Sequence, residues 1–211
     1  MGFIFLDIET YSSKEEPMSS LNPYFNDSKV IVISYNIYPN FEMKNDIIQN
    51  PTFLFEWESS EKNILELFYQ DLKQFIENQK YPKIVGFNHS NFDLIYLYGR
   101  LLKNEIDTDK NLHKFMFRIP RFIDLIQVGI QFSNYTKKYG ELGLPNQKEL
   151  NKLFNIPIKE EEGKNLSKFY DLKEFELIKK YVIEEFTFET LYIKFRDQFI
   201  KCRQKNCFNV F

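Results

Sequence analysis

Three segments rich in Val, Ile, Phe and Tyr precede the first helical pattern of this chain, and a fourth follows it. This order of strands and helices predicts an α/β fold with a mixed central sheet of about five strands flanked by helices. An open sheet of this kind has its functional site beyond the carboxyl ends of its strands. The predicted strands are 2–8, 29–38, 52–57 and 83–87, the predicted helices are 61–76, 92–102, 147–154 and 171–200, and 122–132 is a strand end leading into a helix.

The composition excludes several classes of protein. An aromatic content of 18% is too high for an intrinsically disordered chain. The chain has no alanine but 23 Phe, which we attribute first to a coding bias toward AT-rich codons. A net charge of −2 is unlike the basic balance of a protein that holds long duplex DNA through many phosphate contacts. An enzyme that handles a nucleic-acid end through metal ions remains compatible with this charge.

The chain shows no sign of membrane insertion or export. No apolar run approaches the roughly 18–20 residues that span a bilayer, and residues 1–7 do not resemble a signal peptide. Cys202 and Cys207 are too few for a disulfide framework, and reduced thiols are the default. We therefore expect a cytoplasmic protein with one domain over residues 1–211, ending in a Cys-containing tail over about 201–211.

An acidic pair follows the first predicted strand. Asp7 and Glu9 are two residues apart, so both carboxylates lie on one face of the strand, with Leu6 and Ile8 on the other. Two like charges side by side need a cation or a proton between them, and Mg²⁺ and Mn²⁺ prefer oxygen ligands. The alternative is a solvated strand end before a turn.

Two further acidic patterns have structural alternatives of their own. The segment Gly86–Leu97 ends a strand at a polar turn and begins a helix with Asp93 in its first turn. Asp93 or Asn91 could simply cap that helix and favour its positive end. Tyr181 and Glu185 are four residues apart on the last long helix and share a face. Alone, that pair could be a core tyrosine above a solvated glutamate.

Taken together, the three patterns resemble the DEDD superfamily of 3′-5′ exonucleases, in the subclass with tyrosine in the third motif. The resemblance is strongest to the proofreading exonuclease domain of family B DNA polymerases and spans roughly residues 2–195. Those domains carry Asp-Ile-Glu-Thr, then Gly-Tyr-Asn-x-x-Asn-Phe-Asp-Leu-Pro-Tyr-Leu, then Tyr-x-x-x-Asp. Here the second block differs mainly by Phe87 for Tyr and Ile95 for Pro, and the segment Phe122–Leu125 also matches.

The resemblance implies an RNase H-like fold and two divalent cations, Mg²⁺ or Mn²⁺. Asp7 would bridge both ions, Glu9 and Glu185 would hold the first, and Asp93 would hold the second. Tyr181 would orient the attacking water. The substrate would be the 3′ end of single-stranded DNA, released as nucleoside 5′-monophosphates, in proofreading or DNA repair with an unidentified replication or repair partner.

The same resemblance implies a small set of substrate contacts. Thr10 and Asn88 match family positions that contact the terminal nucleotide. Phe92 belongs to the same set, although packing beneath the site is the alternative. His89 lies inside the second block, where we expect a surface turn residue or a group facing the substrate. Asp124 is expected to be structural or a helix cap.

The chain departs from the family at Glu185, where the family has aspartate. The extra methylene adds roughly 1.5 Å of reach. Three interpretations stay open: ligation after local adjustment, a preference for Mn²⁺ over Mg²⁺, or a catalytically weak nucleic-acid-binding or polymerase-associated subunit. Glu184 and Glu189 are alternative ligands, but only Glu185 is four residues from Tyr181. A 3′-5′ exoribonuclease is the nearest enzymatic alternative, because no residue identifies a 2′-OH contact.

Overall fold

The first strand lies at the centre of the sheet and organises the molecule. The computed structural model describes residues 2–12, 22–39, 50–132, 144–158 and 165–204. Within these ranges, five strands form one mixed sheet in the order β3-β2-β1-β4-β5. β1 is antiparallel to β2 and parallel to β4, and β4 is parallel to β5. The strands are β1 (Phe3–Tyr11), β2 (Lys29–Tyr38), β3 (Thr52–Phe55), β4 (Lys83–Gly86) and β5 (Arg121–Asp124).

Helices cover both faces of this sheet. A 3₁₀ turn follows β3 at Glu56–Glu58, and a π-helical turn follows the third helix at Lys114–Arg118. The described helices are α1 (Glu61–Glu77), α2 (Asp93–Lys103), α3 (Asp109–His113), α4 (Leu125–Gly129), α5 (Gln147–Leu153), α6 (Leu166–Asp171), α7 (Phe175–Glu185) and α8 (Phe188–Gln204). The predicted α/β fold with a mixed sheet flanked by helices is therefore confirmed.

Alternation along β1 divides the core between the two faces. Ile4, Leu6 and Ile8 pack in the cluster that contains α1 and α2. Phe3 and Phe5 pack on the opposite face against α4, α5 and α8. A third cluster joins β2 to α6 and α7. Each β1 side chain is thus assigned to a face by its place in the strand.

The predicted starts of α1 and α2 are accurate to within one residue. α1 begins at Glu61, as predicted, and its N-cap Ser60 accepts a hydrogen bond at its hydroxyl from the Asn63 amide at 3.2 Å. α2 begins at Asp93, one residue after the predicted start. β1 ends three residues later than predicted, because its pairing with β2 continues past a bulge between Glu9 and Thr10.

The single long helix predicted over 171–200 is wrong, because the chain breaks at Phe186 and Thr187. α7 packs in the cluster with β2, whereas α8 packs in the cluster with Phe5, so the chain changes direction between two cores. α8 then continues to Gln204, which makes residues 201–204 helical where a tail was expected. Cys202 lies in this last turn, and Cys207 lies outside the described residues.

Among the described residues, no helix combines the length and the apolar character that crossing a membrane requires.

Candidate active site

The row of β1 side chains that faces α7 and α8 changes from apolar to acidic along the strand. Phe3 and Phe5 are buried in the core, and Asp7 and Glu9 follow on the same face, where both are partly exposed. The bulge directly after Glu9 bends the strand at this edge. The predicted shared face of the two carboxylates is confirmed, because an oxygen of each lies within 4.8 Å of an oxygen of the other.

Asp93 is the first residue of α2, after the turn that follows β4, and it contacts β1 directly. Its Oδ1 accepts a hydrogen bond from the Ile8 amide at 3.1 Å, and its side chain is almost fully buried. The capping alternative does not describe it, since the N-cap of α2 is Phe92 and no side chain caps this end. Burial raises the pKa of Asp93 to about 7, and the charges of Glu185 and Asp124 act in the same direction.

Asp124, at the end of β5, holds the turn that carries Asp93. Its carboxylate accepts hydrogen bonds from the backbone amides of Asn88 (2.8 Å), Ser90 (3.2 Å) and Ile126 (3.2 Å). The last of these confirms the predicted helix cap, here on α4. The other two stabilise a turn in which Asn88 adopts a positive φ of 60°. The sequence prediction missed this second role, although the Phe122–Leu125 match was its signal.

His89 is fully buried, so the expectation of a surface turn residue or a substrate-facing group is wrong. Its ring packs against Phe122, with centroids 6.0 Å apart, and Nδ1 lies 3.6 Å from Asp124. Gly86 makes room for it, because a Cβ at that position would lie 2.8 Å from the His89 Cβ. Burial lowers the pKa of His89, which favours the neutral imidazole.

The last turn of α7 brings Tyr181 and Glu185 to the same place. Tyr181 is buried, and its hydroxyl donates a hydrogen bond to the Glu185 carboxylate. Burial, followed by the charges of Glu9 and Glu185, raises the pKa of Tyr181 well above its ordinary value of 10. The hydroxyl therefore stays protonated at neutral pH and can act as a hydrogen-bond donor.

The two alternative glutamates are engaged elsewhere. Glu184 is partly buried and pairs with Lys180 on the same helix at 3.6 Å. Glu189 is buried on α8 and accepts hydrogen bonds from the Tyr38 hydroxyl and, at 3.4 Å, from the Asn36 amide. Of the three glutamates considered, Glu185 is the one whose carboxylate joins the acids of β1.

Three carboxylates from two distant parts of the chain therefore meet at one point. Oxygens of Asp7, Glu9 and Glu185 all lie within 4.8 Å of one another. Such a concentration of negative charge is favourable only with a cation or protons among the oxygens, and an all-carboxylate donor set suits a hard divalent ion. The residues thus fit a divalent metal site. Asp93 is outside this group of three.

A cleft of about 350 Å³ contains the acidic cluster and Asp93. Its lining combines acidic side chains with apolar ones. The lining residues are Asp7, Ile8, Glu9, Phe87, Asn88, Phe92, Asp93, Ile126, Leu144, Pro145, Asn146, Tyr181 and Glu185. Asn88 and Phe92 thus share the cleft with the acids, whereas Thr10 lies beyond the bulge of β1 and does not line it.

Residues 27–201 match the family described as predicted 3′-5′ exonucleases related to the exonuclease domain of PolB. The chain belongs to this exonuclease family. The prediction of a DEDD 3′-5′ exonuclease, and of an enzyme of the phosphodiester hydrolase class, is therefore confirmed. Exonucleases of this kind generally use divalent metals, in agreement with the carboxylate cluster. The individual roles of the site residues stay predictions.

Solved structures with the same fold include a polymerase and exonucleases. The family B DNA polymerase from the hyperthermophilic archaeon Pyrobaculum calidifontis is similar with a TM-score of 0.58 and 13% identity, over 87% of this chain and 23% of the polymerase chain. Exonuclease I from Methylocaldum szegediense is similar with a TM-score of 0.51 and 12% identity, over 76% of this chain and 37% of the exonuclease chain. The ExoI/SSB-Ct complex is similar with a TM-score of 0.51 and 14% identity, over 75% of this chain and 37% of the solved chain.

These similarities confirm the predicted RNase H-like fold. The chain spans only 23% to 37% of the length of these solved chains, so it corresponds to one part of each. No curated protein sequence matches the chain.

Proposed function

We propose that this protein hydrolyses phosphodiester bonds at the 3′ end of single-stranded DNA and releases nucleoside 5′-monophosphates, using two divalent cations, Mg²⁺ or Mn²⁺. One observation carries the proposal: the carboxylates of Asp7, Glu9 and Glu185 converge in a cleft that also holds Asp93 and Tyr181. These are the residues that the resemblance assigns to its three motifs. Glu185 stands where the resemblance has aspartate, and its position beside Asp7 and Glu9 supports a retained site.

The residues of the site would have different roles in the reaction. Asp7, Glu9, Glu185 and Asp93 would hold the cations, and such ions supply Lewis-acid activation of water and neutralise the scissile phosphate. Tyr181, a protonated donor beside Glu185, would orient the attacking water. Water adds to phosphorus, the bond from phosphorus to the 3′ oxygen breaks, and the shortened strand keeps a 3′-OH.

The apolar side chains that line the cleft would contact the terminal nucleoside. Phe92, Ile126 and Leu144 are among them, and base stacking or apolar contact of this kind is tolerant of sequence. Asn88 would contact the terminal nucleotide, and Thr10 would contribute from the β1 edge. The Asn88 side chain is already oriented, because its Oδ1 accepts a hydrogen bond from the Asn91 amide at 2.9 Å.

DNA is the favoured substrate because the family is described by its relation to the exonuclease domain of PolB. A role in proofreading or repair, with a replication or repair partner, follows from the same relation. The test below also distinguishes an exoribonuclease and an inactive nucleic-acid-binding subunit from a DNA exonuclease.

The test uses a 5′-labelled oligonucleotide as DNA and as RNA, each with Mg²⁺ or Mn²⁺. Wild type is compared with Asp7→Ala and with Glu176→Ala, a matched control on the exposed side of α7. We expect a ladder of 3′-shortened DNA products with wild type and the control but not with Asp7→Ala, and no cleavage of circular single-stranded DNA. Faster RNA degradation would identify an exoribonuclease. Binding without product under either metal would refute the enzymatic proposal.

A further inference from the structure

The end of α7 carries Glu185 but is not held by a continuing helix. The last helical hydrogen bond runs from the Phe186 amide to the Val182 carbonyl, and α8 starts at Phe188 in another core cluster. Carbonyls at a helix end lack helical partners and fray unless other groups bind them. The backbone that sets the position of the Glu185 carboxylate is therefore at the weakest part of its helix.

Within this end of the helix, the Glu185 carbonyl accepts a hydrogen bond from the Thr187 amide at 2.5 Å. α5 adds support from outside the helix. The Gln147 side-chain amide donates to the Glu185 carbonyl at 2.9 Å and to the Thr187 hydroxyl at 3.2 Å. The Asn151 side-chain amide, one turn further along α5, donates to the same hydroxyl at 2.9 Å. Two amides on one face of a helix thus bind Glu185, the last residue of α7, and Thr187, within the break between α7 and α8.

α5 is held in place by a capping box and by core packing, so its contacts can fix the position of the Glu185 backbone. Its N-terminus has a capping box in which Asn146 and Glu149 satisfy each other's backbone amides. Leu150 is buried and packs on Gly129 of α4, where a Cβ would lie only 2.5 Å from the Leu150 Cδ1. Asn146, next to Gln147, already lines the cleft. α5 therefore begins at the edge of the cleft that contains Glu185.

We propose that Gln147 is a positioning residue that fixes Glu185 for metal binding, with Thr187 and Asn151 completing the clamp. The inference rests on the proposed function only in that Glu185 is taken as a metal ligand. A glutamate has one more rotatable bond than the aspartate of the family, so its carboxylate depends more strongly on a fixed backbone. Gln147 acts through the Glu185 carbonyl and does not touch the cation or the substrate.

The test substitutes Gln147→Met, which keeps the side-chain length but removes both amide donors. Lys148→Ala, an exposed neighbour on the same helix, is the matched control. Mn²⁺ affinity is measured by calorimetry on the full chain, kcat and KM on a 5′-labelled oligonucleotide, and the unfolding midpoint in EDTA. We expect Gln147→Met to weaken Mn²⁺ binding by roughly three- to tenfold and to lower kcat with KM unchanged, while the control matches wild type.

A double-mutant cycle separates positioning from a general structural role. If Gln147 acts through Glu185, then Gln147→Met causes no further loss of Mn²⁺ affinity in a Glu185→Gln background. Thr187→Val, which keeps the shape but removes the hydroxyl, provides the same comparison if Gln147→Met does not fold. The inference would be overturned if Gln147→Met lowered the unfolding midpoint but left Mn²⁺ affinity unchanged. It would also be overturned if Gln147→Met reduced Mn²⁺ affinity equally in the wild-type and Glu185→Gln backgrounds.

The Mn²⁺ measurement also keeps the two proposals apart. A wild-type protein that binds Mn²⁺ but degrades neither DNA nor RNA would refute the proposed function, and the clamp would still be judged by the affinity of Gln147→Met. A wild-type protein that binds no Mn²⁺ would overturn the clamp as well.

Discussion

Replacing Asp93 by asparagine should stabilise the metal-free protein, even though it should abolish activity. Asp93 is 5% exposed and accepts a hydrogen bond from the Ile8 amide. Burial raises its pKa from 3.8 to about 7. Because the folded pKa lies above the unfolded one, folding loses stability as the pH rises from about 4 to about 7. Asparagine keeps an oxygen for Ile8 and has no charge to bury.

The expected gain can be worked out from the pKa of Asp93. A rise from 3.8 to about 7 corresponds to about 4 kcal/mol, since one pKa unit is about 1.4 kcal/mol. The buried amide N–H groups of asparagine need partners, and leaving them without good ones costs about 1–3 kcal/mol. We therefore expect Asp93→Asn to raise the free energy of unfolding by about 2 kcal/mol near pH 8. Near pH 4, where the carboxyl is protonated, the gain should be absent.

The assay is urea unfolding in EDTA at several pH values, followed by the same series with Mn²⁺. Asp124→Asn is the contrasting control. The buried Asp124 carboxylate accepts hydrogen bonds from three backbone amides, so its replacement should lower the free energy of unfolding at every pH. Mn²⁺ should stabilise wild type more than Asp93→Asn, which has lost a proposed ligand. The gain from the substitution should then shrink or reverse.

Two results would refute this reasoning. Asp93→Asn could be less stable than wild type in EDTA near pH 8, which would mean that burying the ionised Asp93 carboxylate does not destabilise the folded protein. The gain could also be the same near pH 4 and near pH 8, which would mean that it does not come from removing a buried charge.

Three further substitutions have defined outcomes. Gly86→Ala should lower the free energy of unfolding by about 2 kcal/mol in urea, because its Cβ would lie 2.8 Å from the Leu6 carbonyl oxygen; unchanged stability would contradict this packing. Tyr181→Phe should lower kcat by roughly tenfold to hundredfold with DNA affinity retained, since only the water-orienting hydroxyl is lost; an unchanged kcat would exclude that role. Glu185→Asp should weaken Mn²⁺ binding by roughly tenfold in calorimetry, because the site is built around the longer side chain; equal or tighter binding would show that it is not.

The parts of the site that could be predicted from the sequence are those encoded within single elements. Strand alternation alone puts Asp7 and Glu9 on one face, and helical spacing alone puts Tyr181 and Glu185 on one face. The order of the three motifs then indicated the family. Asp93 was identified by its motif, but its contact with the Ile8 amide requires β4 to lie beside β1.

The parts that could not be predicted depend on contacts between distant elements. The burial of His89 requires β5 beside β4, so that Phe122 and Asp124 close over it. The break after Glu185 is invisible in the helical spacing, because it arises from two separate cores and from Gln147, 38 residues away in sequence. Local periodicity carries no information about such pairs.

The most direct test of the account is a crystal structure of the protein with Mn²⁺, analysed by anomalous scattering. We expect a strong anomalous peak among the carboxylates of Asp7, Glu9 and Glu185, and we expect it to be lost in Glu185→Gln but not in Glu184→Gln. A peak elsewhere on the chain, or no peak at saturating Mn²⁺, would contradict the central claim that these three acids form the metal site of the exonuclease.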